Sequence, residues 1–362
     1  MISIDGRRIG SAEPTYFVAD IAANHDGSLD RAKQLIRLAK EAGAEAAKFQ
    51  HFTARTIVSD VGFRRLGRRL SHQSNWDEEV YDVYDAAALP EDWTHALRDE
   101  CEKVGIAFFS APYSLEAVRF LAPLMPAFKI GSGDVDWLEE IDLVARQGKP
   151  VLLATGAADL VDVQRAVEAV RAHTDELVLM QCNTNYTADD DGNLDHLNLN
   201  VLRTYATLWP DVTLGLSDHT HGSTAVIGAV ALGARVVERH FTDDNGREGP
   251  DHRFALDPND WRAMVEETRR LERALGSPVK TVAPNERDTY VVQRRCLRAA
   301  RDLPVGTILK REDLDVLRPA PPGALRPSAI GHTIGRVLAR PVAFGVELRP
   351  EDLDPEPLAT QD

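Results

Sequence analysis

Eight short apolar segments, each followed by a stretch with helical spacing, constrain this chain more than any other feature. They are FVADIAAN (17–24), AAKFQ (46–50), IAFFSAP (106–112), AFKIGSG (127–133), VLLATG (151–156), LVLMQC (177–182), TLGLSD (213–218) and RVVERHF (235–241). Between them lie amphipathic stretches such as SLDRAKQLIRLAKEAG, LEAVRFLAPL, LVDVQRAVEAVRAH and STAVIGAVALGA, with apolar residues at i, i+3 and i+4. Strands alternating with helices predict an α/β chain built from βα units around a parallel sheet. Eight units suit a (β/α)8 TIM barrel, which typically takes ~250 residues. A doubly wound sheet is the alternative.

The segment ends favour the barrel. Asp20, Asn24 and His25 follow the first strand, and Lys48 and Gln50 end the second. Lys129, Ser132 and Asp134 lie at the fourth, Thr155 at the fifth, and Asn183, Thr184 and Tyr186 after the sixth. Ser217, Asp218 and His219 close the seventh, and Glu238 and His240 lie in the eighth. A barrel gathers its strand C-termini into one ring, where active sites sit, so these polar ends are expected to converge. The stretch from His51 to Trp93 is too long for an ordinary βα loop and is expected to fold over the mouth or against a neighbour. Its arginines read as a solvated helical face.

After WRAMVEETRRLERALG the pattern changes to a polar, proline-containing linker. The expected division is a barrel over 1–280, a linker over 281–293, a small β-rich module over 294–354 and a tail over 355–362. Within the module, DLPVGTILKREDL and PVAFGVELRPEDL repeat one phrase, as if a turn-strand-turn unit were used twice.

Charge and cysteines limit the partners. The net charge is −15, with no basic block, which argues against nucleic acid or an anionic membrane. Anionic substrates must be held by locally placed lysines or arginines. Cys101, Cys182 and Cys296 are scattered and odd in number, so no disulfide framework is expected and a reducing cytoplasm is the natural compartment. The N-terminus MISIDGRRIG has no apolar signal core, and no apolar run approaches the roughly 20 residues of a membrane span.

In order along the chain, ADIAANHDG, KFQ, FFSAP, FKIGSGD, ATG, GLSDHT, VVERHFT and GPDH, then RRCLRAARDL and the RP pair of the tail module, resemble the N-acetylneuraminate synthase family of bacterial nonulosonic acid synthases. The resemblance covers nearly the whole chain. It implies a TIM barrel followed by a SAF domain, similar to type III antifreeze protein, and condensation of phosphoenolpyruvate with an aldose to a 3-deoxy-2-keto acid plus phosphate. Lys48 and Lys129 match lysines that hold phosphoenolpyruvate in the family, and Ser132 and Ser217 match further contacts to it. The metal ligands fall on His219 and His240, with Mn2+ the usual ion and Mg2+ or Co2+ possible. His221, although only two residues from His219, is left without a role. Asp134, Glu238 and Asp251 are nominated near the sugar, Gln50, Thr184 and Tyr186 as further substrate contacts, and Asp20 near the reacting centre. Arg318 matches an arginine that reaches into the partner subunit's site, which implies a swapped homodimer.

Departures from the family pattern are concentrated near the substrates. Asp20 and Asp134 stand where glutamate is usual, each one methylene shorter, and loss of a good bond to a charged group costs ~1.5–3 kcal/mol. Ala154 replaces a serine that helps hold phosphate, Thr184 replaces serine or asparagine, Thr187 a proline, and Ala255 also lacks a hydroxyl. The expected acceptor is therefore a modified sugar rather than plain N-acetylmannosamine. A synthase or aldolase of the same fold with another aldehyde acceptor is the alternative, and a degenerate barrel kept as a binding surface is the non-enzymatic reading.

Overall fold

The computed structural model describes residues 2–187 and 190–355. The chain divides into two compact units, Met1–Gly276 and Ser277–Asp362. The expected tail at 355–362 falls almost wholly outside the described residues.

The first unit opens on a hairpin of β1 (Ile2–Ile4) and β2 (Arg7–Ile9), which the sequence reading did not single out. Asp5 and Gly6 turn it, both at positive φ (48° and 76°), as a tight antiparallel turn requires. Its Ile2, Ile4 and Ile9 join the main core. Eight parallel strands follow: β3 (Tyr16–Asp20), β4 (Ala46–His51), β5 (Ala107–Pro112), β6 (Phe128–Ile130), β7 (Val151–Ala154), β8 (Leu177–Cys182), β9 (Thr213–Asp218) and β10 (Val236–His240). Their order is β5-β4-β3-β10-β9-β8-β7-β6, with β5 beside β6. The sheet is thus a nearly closed (β/α)8 barrel, not a doubly wound sheet. Covered on both faces, the strands read as continuous apolar runs.

Two strands stop earlier than their apolar runs. β3 ends at Asp20 because its Oδ1 accepts the Ala22 N–H at 3.1 Å, and Ala22 turns at φ 45°. β6 ends at Ile130 because Ser132–Asp134 forms a 3-10 turn. The helices form where the 3.6-residue period placed them. In Leu29–Glu41, Ala32, Leu35, Ile36 and Ala39 make the buried stripe, and Ser28 Oγ caps the N-terminus by accepting from Arg31 N.

The β4–β5 segment folds over the barrel mouth as short helices, with Phe52, Ile57, His72, Trp76, Val83, Tyr84 and Ala87 in the cavity wall. Of its arginines, Arg64 pairs with Asp60 on an exposed face, whereas Arg69 bonds the Trp76 carbonyl and braces the fold of the segment.

In the second unit, β11 (Cys296–Ala299) pairs antiparallel with β12 (Leu314–Leu317) over a leucine-rich core. The repeated phrases build matching corners. Asp313 Oδ2 accepts Lys310 N at 3.0 Å and Asp352 Oδ2 accepts Arg349 N at 2.7 Å. Arg301 and Arg340 pair with these buried aspartates, and Leu303 and Val342 exchange both backbone bonds. The linker expected over 281–293 contains the helix Arg287–Val292. Among the described residues, no helix is long and apolar enough to cross a membrane.

Candidate active site

Strand alternation decides which side chains enter the barrel mouth. Asp20 on β3, Lys48 and Gln50 on β4, Ser217 on β9, and Glu238 and His240 on β10 point inward, where loop residues Ser132, Asp134, Thr184, Tyr186, His219 and Asp251 join them. Lys129 comes from β6. All line one cavity of about 350 Å³. Every candidate in the barrel is therefore brought together. Arg318 stands exposed in the second unit, and His221 does not line the cavity.

The floor is a buried charge network. Lys48 Nζ lies 2.7 Å from Asp20 Oδ2 and 3.2 Å from Glu238 Oε1, and Lys129 Nζ is 3.6 Å from the same Glu238 oxygen. Gln50 Nε2 donates to Asp20 Oδ2 at 3.0 Å. Burial depresses an ammonium, and it leaves Lys129, which also feels Lys48, below the usual lysine range. At Lys48 the adjoining Asp20 and Glu238 outweigh burial and raise the pKa. Both lysines are thus engaged by carboxylates, Lys48 by Asp20 and Glu238 and Lys129 by Glu238.

Gly156, after β7, lets the cavity-lining side chains of Ser132 and Thr184 pack directly against its backbone. A Cβ there would overlap Thr184 Oγ1 and lie 3.0 Å from Ser132 Oγ and 3.1 Å from Cys182 Sγ. The Gly156 N–H donates to Ser132 Oγ at 3.0 Å. Only glycine leaves room for Thr184, Ser132 and Cys182 to close around this turn. Ala154 and Ala255 are buried and do not line the cavity, so their missing hydroxyls leave no gap in its wall.

The far side carries two carboxyl groups whose burial pushes them up to about 6, Asp134 and Asp251. Asp251 Oδ2 accepts the Ala23 N–H at 3.1 Å.

His219 and His240 lie with ring centroids 5.4 Å apart, between Tyr186 and Phe254. The Asn183 carbonyl, 3.1 Å from His219 Nδ1, only accepts, so Nδ1 carries a proton. Burial holds the His240 imidazole neutral, and its Nδ1 has no hydrogen-bond partner. At His219 the effect of burial is outweighed by Cys182 and Asp218, which raise its pKa, so that ring must give up a proton to serve as a ligand. Two imidazoles so placed suit a divalent metal with open coordination positions. Among the described residues, no group of three or more His, Cys, Asp or Glu is placed to hold a metal.

Sequence reasoning missed the aromatic wall above this floor. Tyr113, Phe52, Tyr84, Trp76, His72 and Tyr186 form a chain of edge contacts with centroids 5.1–6.1 Å apart. Aromatics interleaved in an overlong βα segment were the available signal.

A barrel whose strand ends hold buried lysines, carboxylates and a histidine pair around one cavity has the arrangement of a TIM-barrel active site. The NeuB family model matches residues 35–280 and the SAF domain model residues 294–354, and the chain belongs to the NeuB family. It is 32% identical to the N,N'-diacetyllegionaminic acid synthase of Legionella pneumophila over 95% of this chain and 96% of that one. It is also 32% identical to the human N-acetylneuraminate-9-phosphate synthase, over 91% of this chain and 90% of that one. The solved structure of the Bacillus subtilis spore coat polysaccharide biosynthesis protein SpsE superposes with a TM-score of 0.64 at 28% identity, covering 98% of this chain and 99% of that one.

Proposed function

We propose that this enzyme condenses phosphoenolpyruvate with an aldose, an N-acetylmannosamine-like or otherwise modified amino sugar, to give a 3-deoxy-2-keto nonulosonic acid and phosphate. The observation that carries this reading is the composition of the cavity. Buried Lys48 and Lys129 line it with Ser132 and Thr184, and the carboxyls Asp134 and Asp251 line it with a wall of aromatics. The first set suits a carboxylate and a phosphate; the second suits hydroxyls and apolar substituents of a sugar.

C3 of the enolpyruvate attacks the aldehyde carbon: the C2–C3 π pair becomes the new C–C bond, and C2 becomes oxocarbenium-like. The aldehyde π pair moves onto its oxygen, which ends with the proton released by the water added next. Water adds at C2, and the tetrahedral intermediate breaks its C2–O bond to expel phosphate. Lys48, Lys129, Ser132 and Ser217 hold the donor's anionic groups. Glu238, whose Oε2 has no partner, and Asp20 receive the proton of the added water. Thr184 stands with Ser132 at the donor, and Asp134, Asp251, Gln50 and Tyr186 orient the acceptor.

Because Asp20 and Glu238 already balance the two lysines, a polyanionic donor needs further positive charge. His219 and His240 would hold a divalent metal, Mn2+ first with Mg2+ or Co2+ as substitutes. When bound it polarises the aldehyde as a Lewis acid. Arg318 of a swapped homodimer would supply a second cation to the partner's site. The free, buried cysteines fit a cytoplasmic enzyme.

The test is phosphate release from phosphoenolpyruvate with Mn2+ and a panel of aldoses. Aldose-dependent release is expected, abolished by chelator and by Lys129→Ala. Release with no acceptor, or none with any, overturns the reading. An aldolase of the same fold would act on pyruvate and liberate no phosphate.

A further inference from the structure

We infer that Arg239 and Asp218, neither of which lines the cavity, act as a clamp that positions His219 against His240. This rests on the reading in which those two imidazoles hold a divalent metal.

Arg239 and Asp218 are directly paired residues across β10 and β9, and each is followed in sequence by one of the two histidines. Strand alternation sends them outward while Glu238, His240 and Ser217 face in. They are 1% and 0% exposed at the side chain, with Arg239 NH1 3.4 Å from Asp218 Oδ2. The same NH1 donates to the Gly222 carbonyl. Asp218 in turn accepts from Thr220 N through Oδ1 and from Thr220 Oγ1 through Oδ2, each at 3.0 Å. The turn that carries His219 is therefore tied at Thr220 and Gly222 to groups whose anchor is the strand that carries His240. Gly222 sits at φ +67°, a conformation that presents its carbonyl to Arg239 and favours glycine.

A buried guanidinium is a costly choice where a hydrophobic residue would pack, and its NH2 is left unpartnered. The geometry accounts for its presence. One guanidinium nitrogen, NH1, reaches a carboxylate and a backbone carbonyl at once, from a planar group that stays charged when buried. Outer groups that orient ligating histidines typically change metal affinity by 10–100-fold when removed.

The experiment measures Mn2+ binding by calorimetry, phosphoenolpyruvate binding separately, and the His219 ring by nitrogen NMR, in Arg239→Met, Arg239→Lys and Asp218→Asn. Arg239→Met and Asp218→Asn are expected to weaken Mn2+ about 10–100-fold while phosphoenolpyruvate affinity stays within about twofold. Arg239→Lys should lose less. If Arg239→Met does not fold, Asp218→Asn/Arg239→Met removes both buried charges and should show the same loss. Folded variants that bind Mn2+ like the parent protein overturn the clamp. Should the parent protein bind no Mn2+, the metal reading fails while the clamp is still decided by the His219 ring: an altered tautomer or shift in Arg239→Met upholds it, and an unchanged ring sinks it.

Discussion

Asp134 and Glu140 illustrate how burial turns a carboxyl into a pH-sensitive element. Burial lifts Asp134 to about 6. As an acceptor of sugar hydroxyl bonds it works ionised, so kcat/KM for the aldose is expected to fall below pH ~6, and Asp134→Asn should flatten that limb at a cost of about tenfold or more in activity. Glu140, in the helix Leu138–Ala145, is 1% exposed with both carboxyl oxygens unpartnered. Burial and the charge of Asp134 push it from 4.5 to about 8. The folded state then holds a proton that the unfolded chain gives up, so this group's contribution is intact below pH 4.5 and is lost as pH rises through about 8. Denaturant unfolding at mildly acidic and mildly alkaline pH should show Glu140→Gln flattening the decline and gaining a few kcal/mol at the alkaline end, at ~1.4 kcal/mol per pH unit. Residue types at strand ends were legible in the sequence. Their charge states were not, because those depend on which neighbours burial imposes.

At the scale of elements, eight strands and their helices were readable because apolar runs and 3.6-residue spacing are local signals. Their ends were not: β3 stops where the Asp20 carboxylate captures the Ala22 N–H, a side-chain competition that apolar patterning does not register. The turn after β7 gives a test. Gly156→Ala would drive a methyl group into Thr184 Oγ1, so kcat/KM for phosphoenolpyruvate should fall roughly 100-fold with little change in the aldose KM. Gly156→Ala/Thr184→Ala should recover part of the loss. If the single variant keeps the parent's phosphoenolpyruvate kinetics, Ser132 and Thr184 are not at the donor site.

For the whole molecule, the swapped homodimer proposed above gives the sharpest prediction. Lys129→Ala and Arg318→Ala should each be inactive alone. Mixed under conditions that exchange subunits, they should restore about a quarter of the parent's activity, since half the dimers are hybrid and each hybrid has one intact site. No recovery places Arg318 in its own subunit's chemistry or in none. The amino-acid sequence alone determined the βα order and the barrel residues that end in one cavity, because strand period and barrel closure carry inward-facing positions to a common ring. Only the tertiary structure decided that Asp20 and Glu238 neutralise the two lysines, that the β4–β5 segment roofs the site with aromatics, and that Arg239 ties the His219 turn to the neighbouring strand. Those relations join residues far apart in the chain, whose distances are set by packing and not by spacing.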